Sequence, residues 1–98
     1  MAHLELSGPG GAERVVLGGG RMTIGRDPSN DIALTDDLTA SRRHAVLEEL
    51  PAGWWVADVG SLNGTWVNGE MVEGERPLFP GDEILVGETR LVYQDQPR

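Results

Sequence analysis

The chain has 98 residues, of which 39% are hydrophobic and 24% charged, enough for one globular domain with one modest core. Its formal net charge of −8 argues against nonspecific nucleic-acid binding, and the absence of cysteine excludes disulfides and thiolate metal sites. The sequence contains two histidines, no carboxylate cluster and no apolar run of membrane-spanning length, and its first eleven residues lack a charged region followed by an apolar stretch. We therefore expect a cytoplasmic, monomeric domain without metal, cofactor or membrane insertion.

Short apolar stretches separated by glycine and proline predict a domain built from strands. No window keeps a helical period for three turns, although residues 36–41 could form a single helical turn. In chain order, the predicted strands are residues 4–6, 14–17, 21–25, 32–34, 44–50, 54–59, 65–67, 70–72, 77–79, 83–86 and 89–94.

Glycine-containing turns separate several of these strands. Asn68-Gly69 is a strong two-residue hairpin signal, and residues 80–82 separate two further strands. The triple glycine at residues 18–20 predicts another hairpin loop, and no helix follows it that could bind a nucleotide phosphate. Because a chain with only strands must bury one sheet against another, we expect an all-β antiparallel sandwich over residues 1–94, followed by a polar tail at residues 95–98.

Three polar segments follow predicted strands, and their chemistry suits a phosphate on a peptide. The first places Arg26 after Gly25, and the second supplies Ser41 and Arg42. The third supplies Asn63, whose carboxamide can both donate to and accept from a peptide main chain. Each segment also has an ordinary interpretation: a surface arginine paired with a nearby aspartate, a buried histidine, or a plain Asn-Gly turn. Arg43 is expected to point away from this set.

Ser41 and His44 also allow a second interpretation, as the nucleophile and base of a small hydrolase. Their spacing does not by itself align a proton transfer, and no G-x-S-x-G motif is present. We therefore expect no enzyme. Instead, His44 is expected to tie neighbouring loops together through its two ring nitrogens, while Ser41 offers its hydroxyl and its backbone amide to an anion.

From about residue 22 to residue 93 the sequence resembles forkhead-associated (FHA) domains, which are phosphothreonine-peptide binding modules. The resemblance is carried by Gly25-Arg26, by the Ser-x-x-His-Ala of residues 41–45, by the continuous segment 58–69, and by residues 78–84 with Val86-Gly87. It implies a sandwich of about eleven short strands with the binding loops at one end.

The resemblance also implies a role for individual residues. Arg26 and Ser41 would contact the phosphate with help from Arg42, and Asn63 would hold the peptide backbone just after the phosphothreonine. An apolar niche at Leu62 and Asn63 would accept the threonine methyl, although many family members have threonine or serine where this chain has Leu62. The scaffold of the loops would consist of Gly25, His44, Gly64, Thr65 and Asn68.

The resemblance therefore predicts a phosphothreonine-dependent interaction module, an adaptor in Ser/Thr kinase signalling whose partner is a kinase or a kinase substrate. The surrounding acidity favours targets with basic flanks. Two alternatives stay open. One is an FHA-fold domain that binds its partner independently of phosphorylation through a sheet face or an apolar surface, and the other is the serine hydrolase.

Overall fold

The computed structural model of the protein describes residues 1–95, which fold into two β-sheets. No helix long and apolar enough to cross a membrane occurs within this range. The predicted tail lies outside the described residues except for Asp95, which ends the last strand. The eleven strands are β1 (Ala2–Gly8), β2 (Gly11–Val16), β3 (Arg21–Gly25), β4 (Ile32–Ala33), β5 (Ala45–Leu50), β6 (Gly53–Asp58), β7 (Thr65–Val67), β8 (Glu70–Met71), β9 (Glu75–Pro77), β10 (Glu83–Val86) and β11 (Thr89–Asp95).

The first sheet has six strands in the order β2-β1-β11-β10-β7-β8, and the second has five in the order β4-β3-β5-β6-β9. All pairs are antiparallel except β3 with β4, where Ile24 lies beside Ile32 in a parallel register. The predicted all-β sandwich is confirmed, with this one short parallel pair as an addition.

The core lies between the two sheets and follows the alternation of strand side chains. Strand β10 buries Ile84 and Val86, and β11 buries Leu91 and Tyr93, as the period of two predicts. Strand β6 buries Trp54, whereas its other face is only partly covered. Both faces of β6 are apolar in sequence, but only one of them faces the first sheet.

The structure contradicts two predictions about segments between strands. The triple glycine at residues 18–20 does not form a hairpin loop, because β2 lies in the first sheet and β3 in the second. Instead the chain crosses between sheets there, after the Leu17 N–H has bonded to the Ala2 carbonyl at 2.9 Å. The single helical turn expected at residues 36–41 is also wrong, since that segment forms two non-helical turns.

Strand β9 forms at Glu75–Pro77 and not at residues 77–79. Beyond Pro77, the Leu78 N–H still bonds to the Trp54 carbonyl at 2.9 Å. The next backbone N–H, that of Phe79, donates to the Asp82 carboxylate at 2.8 Å, which turns the chain out of the sheet. The prediction placed the strand two residues late because the apolar residues Leu78 and Phe79 follow the strand and are not part of it.

Strand register brings the polar loops to one end of the sandwich. Ala45 pairs with both Ile24 and Asp58, so the loops that flank these residues lie together. We call the end formed by residues 26–31, 34–44, 59–64 and 87–88 the loop end. The opposite end, formed by residues 18–20, 51–52, 68–69 and 78–82, is called the far end. All three polar segments predicted to bind phosphopeptide belong to the loop end.

Candidate functional site

Gly25 ends β3 at a point where two loops nearly touch. A Cβ at this position would lie 2.1 Å from the Arg42 carbonyl oxygen and 2.7 Å from Asn30 Nδ2, so a larger residue cannot fit without moving backbone. The Arg42 carbonyl is itself held in place, because it accepts hydrogen bonds from the Asp27 N–H at 3.2 Å and from Asn30 Nδ2 at 2.7 Å. The close approach of the Arg42 carbonyl therefore explains why position 25 is a glycine.

Arg26 connects its own loop to the loop at residues 34–44. Its backbone N–H donates to the Ser41 carbonyl at 2.9 Å, and its Nε donates to the Ala40 carbonyl at 3.1 Å. The Nε bond fixes the plane of the guanidinium. The two terminal nitrogens have no hydrogen-bond partner among residues 1–95, so Arg26 presents them at the loop end.

The nearby aspartates do not neutralise Arg26. Asp27 accepts the Ser29 N–H at 2.9 Å, and Asp31 accepts the Thr23 N–H at 2.9 Å. None of the ion pairs found within residues 1–95 includes Arg26. The interpretation of Arg26 as an ordinary surface arginine paired with an aspartate is therefore not supported.

His44 is fully buried and joins two loops through its ring. Nδ1 accepts the Ser41 backbone N–H at 3.0 Å, and Nε2 donates to the Gly64 carbonyl at 2.8 Å. This pattern requires a neutral imidazole with its proton on Nε2. Both nitrogens are occupied, so neither can act as a base for Ser41, which contradicts the hydrolase alternative. The Ser41 amide is also occupied, so the expectation that it binds an anion is wrong.

The Ser41 hydroxyl oxygen accepts the Leu62 N–H at 3.0 Å, which leaves the hydroxyl proton free to be donated. The Asn63 side chain donates from Nδ2 to the Thr39 carbonyl at 3.1 Å. These two bonds hold the loop at residues 59–64 against the loop at residues 34–44. Asn63 Oδ1 has no partner among residues 1–95, so it can accept a hydrogen bond from a peptide.

Asp58, whose role was not predicted from the sequence, orders the loop at residues 59–64. One carboxylate oxygen accepts the N–H groups of Gly60 at 2.8 Å and Ser61 at 2.9 Å, and the other accepts the hydroxyls of Ser61 and Thr65. Burial opposes ionisation, but these hydrogen bonds outweigh it and lower the pKa of Asp58. The Ser61 hydroxyl in turn accepts the Gly64 N–H at 2.8 Å.

Asp37, whose role was also not predicted from the sequence, orders the loop at residues 34–44 in the same way. It is only 1% exposed and accepts the N–H and hydroxyl of Thr39, the Glu88 N–H and the Thr89 hydroxyl. Burial opposes ionisation, but the four hydrogen bonds prevail and lower the pKa of Asp37. A Cβ at Gly87 would lie 2.7 Å from this carboxylate, which explains that glycine. The signal in the sequence was the Asp-x-Thr spacing, typical of a side chain that caps its own turn.

The remaining predicted residues fall into three places. Arg42 and Leu62 are exposed at the loop end, and Leu62 is 89% exposed. Arg43 lines a separate cavity beside Thr23 of the second sheet. Asn68 lies at the far end, where its side chain bonds to the Asp82 carboxylate and to the Glu83 N–H. Asn68 therefore stabilises a turn at the far end and does not belong to the predicted scaffold of the binding loops.

The fold and the loop end define a β-sandwich interaction module that presents an arginine, a hydroxyl and a carboxamide from adjacent loops. The family model of the FHA domain matches residues 22–87. The "Oxoglutarate dehydrogenase inhibitor" of Corynebacterium diphtheriae is 46% identical over 91 residues, covering 93% of this chain and 62% of that protein. The chain belongs to the FHA domain family.

Two further similarities agree with this assignment. The "Glycogen accumulation regulator GarA" of Mycolicibacterium smegmatis is 44% identical over 91 residues, covering 93% of this chain and 56% of that protein. A solved structure from a study of phosphothreonine-dependent FHA domain interactions superposes with a TM-score of 0.88 at 31% identity, covering 99% of this chain and 98% of that one. The chain thus spans less than two thirds of the length of both curated relatives.

Proposed function

We propose that this domain is a phosphothreonine-dependent protein–protein interaction module that acts as an adaptor in Ser/Thr kinase signalling. It binds as a monomer, in the cytoplasm, to a phosphothreonine-bearing segment of a kinase or a kinase substrate, and it catalyses no reaction. The observation that carries the proposal is the Arg26 guanidinium, which the Ala40 carbonyl orients while its terminal nitrogens have no partner among the described residues 1–95.

The phosphate would be bound by Arg26 and Ser41. A phosphothreonine carries about −1.5 to −2 charges and three strong acceptor oxygens at neutral pH. The terminal nitrogens of Arg26 and the hydroxyl proton of Ser41 are donors of the kind these oxygens need. Arg42, exposed beside them, adds positive charge, so the loop end can attract a phosphate although the whole chain is acidic.

The peptide that carries the phosphate would be held by Asn63, and Leu62 would cover the threonine methyl. Asn63 Oδ1 is available to accept a main-chain N–H because Nδ2 is already bonded to Thr39. The exposed Leu62 side chain offers apolar surface next to it. This arrangement favours phosphothreonine over phosphoserine by the one methyl group that Leu62 can cover, worth about 0.8 kcal/mol or roughly fourfold in affinity.

The experiment is a calorimetric titration with matched phosphothreonine, phosphoserine and unmodified peptides, selected first from a phosphothreonine peptide library. Hydrogen bonds to a charged group contribute about 1.5–3 kcal/mol, so we expect Arg26→Ala to weaken phosphothreonine binding about tenfold to a hundredfold. Arg21→Ala is the matched control, because Arg21 begins the same strand at the opposite end. Its affinity should stay within about twofold of the unsubstituted domain.

Two results would contradict the proposal. Equal affinity for phosphorylated and unmodified peptides would instead support the alternative of binding independent of phosphorylation. Unchanged phosphopeptide affinity in Arg26→Ala, with the fold intact by circular dichroism, would remove Arg26 as the anchor.

A further inference from the structure

A second surface with the features of a binding site lies at the far end of the sandwich. It is a groove of about 550 Å³, within the range of ligand pockets in proteins. Trp54 and Leu78 are buried and form its floor, while Phe79 is 67% exposed and Leu50 is 45% exposed at its rim. Exposed apolar side chains over a buried aromatic floor are typical of a surface that contacts another molecule.

The groove is separate from the phosphopeptide site. Leu50 ends β5, whereas the loop end lies at the other end of that strand, beside Ala45. Trp54 likewise lies at the start of β6, five strand positions from the loop at residues 59–64. An occupant of the groove therefore does not compete with a phosphate held by Arg26.

The charges of the groove select the kind of occupant. The lining residues within 1–95 carry two charged side chains, Glu75 and Asp95, and both are acidic. The Asp95 carboxylate already forms an ion pair, because the Met1 ammonium group lies 3.5 Å from it. Both groups are exposed. Exposed pairs of this kind are weak, so a cation of a partner can replace this one. An apolar small molecule would not supply the positive charge that Glu75 and Asp95 favour.

We propose that the far-end groove docks an unphosphorylated, extended segment of a partner protein in which an apolar side chain is flanked by lysine or arginine. The apolar side chain fills the groove between Phe79 and Leu50. The flanking cations lie near Glu75 and Asp95, where the exposed aromatic ring of Phe79 adds a cation–π contribution. The domain therefore has two recognition surfaces, one that depends on phosphate and one that does not.

The probes are unphosphorylated seven-residue peptides with a central leucine or phenylalanine flanked on each side by lysines or arginines. Matched peptides carry glutamate at every basic position. Binding is followed by the ¹⁵N-labelled chain's NMR signals, since the three tryptophans report on different ends of the molecule. We expect the indole signals of Trp54 and Trp55 to shift, that of Trp66 to stay, and the glutamate peptides to bind at least about tenfold more weakly.

Two variants test the residues. Phe79→Ala should weaken binding of the basic peptides about tenfold, and Glu75→Gln combined with Asp95→Asn should weaken it about threefold and reduce its salt dependence. Val16→Ala is the control, because Val16 is an exposed apolar residue of the other sheet's edge strand. Phosphothreonine-peptide affinity should stay unchanged in all three, which also shows that they fold.

Three outcomes would overturn the inference. The first is that no peptide shifts the Trp54 and Trp55 signals up to millimolar concentration. The second is that glutamate-flanked peptides bind as well as basic ones, and the third is that Phe79→Ala binds like Val16→Ala. None of them bears on Arg26 or on the phosphate site.

Discussion

The hydrogen bonds of His44 hold the loop end together, and replacing this residue by phenylalanine tests that role. Phenylalanine keeps an aromatic ring in a fully buried position but removes both nitrogens. The Ser41 N–H and the Gly64 carbonyl would then lose the partners that lie 3.0 Å and 2.8 Å away. The substitution therefore isolates two hydrogen bonds between loops with little change in packed volume.

The expected cost follows from these two groups. A buried polar group left without a partner costs about 1–3 kcal/mol, so the two together should lower the free energy of unfolding by about 2–6 kcal/mol. A small domain has a total stability of about 5–15 kcal/mol, so the loss is a large share of it. Phosphopeptide affinity should fall as well, because the Ser41 carbonyl positions the backbone of Arg26.

Urea unfolding monitored by tryptophan fluorescence measures the loss. The matched control is His3→Phe, the other histidine of the chain, which is also buried. Its ring bonds to the Glu5 carboxylate and to the Arg14 guanidinium. Both partners are exposed and stay solvated when these bonds are removed, so we expect less than about 1 kcal/mol. If His44→Phe costs no more than His3→Phe, the bonds of His44 do not hold the loops and the reasoning is refuted.

Three further predictions follow from the loop end. Gly25→Ala should weaken phosphopeptide binding at least tenfold because its Cβ would lie 2.1 Å from the Arg42 carbonyl, whereas Gly18→Ala, with no atom within 4 Å, should leave the calorimetric affinity unchanged. The pKa of Asp37 is lowered from its ordinary value of 3.8, so the unfolded chain binds more protons in acid. Its stabilising contribution is therefore complete above about pH 5 and is lost as the pH falls through the lowered pKa. Urea midpoints should accordingly decline less between pH 5 and pH 2 in Asp37→Asn than in the unsubstituted domain, and equal declines would contradict this. Leu62→Thr should strengthen phosphothreonine binding about threefold to tenfold by adding a hydroxyl donor, and an unchanged or weaker affinity by titration would show that this position does not reach the phosphate.

Local chemistry predicted much of the fold. The Asn68-Gly69 hairpin was predicted from sequence, and both residues have the positive φ, 51° and 83°, that such a turn requires. Alternation predicted the buried faces of β10 and β11. What local patterns could not predict was the sheet to which each strand belongs. The triple glycine is equally compatible with a hairpin and with a crossing between sheets, and only long-range pairing decides between them.

The residues of the candidate site were likewise only partly predictable from the sequence. Arg26, Ser41 and Asn63 carry functional groups that can be recognised from residue type and spacing. Asp37 does not, because its partner Thr89 is 52 residues away and the bond between them exists only after the sandwich has closed. The acceptor of the Ser41 N–H could not be predicted for the same reason, because it depends on where the ring of His44 packs.

Two aspartates, one buried and one half-buried, explain how the loops of an acidic chain can be ordered around the proposed phosphate site. Asp37 and Asp58 use their charge on hydroxyls and N–H groups inside the loops, so neither carboxylate is directed at the ligand. The bonds they make, with those of His44, fix the backbone that carries Arg26 and Ser41 before any peptide arrives. Peptide binding then costs little entropy for ordering the loops, so a small number of contacts gives a higher affinity. Negative charge in this domain therefore orders the loops of the proposed phosphate site.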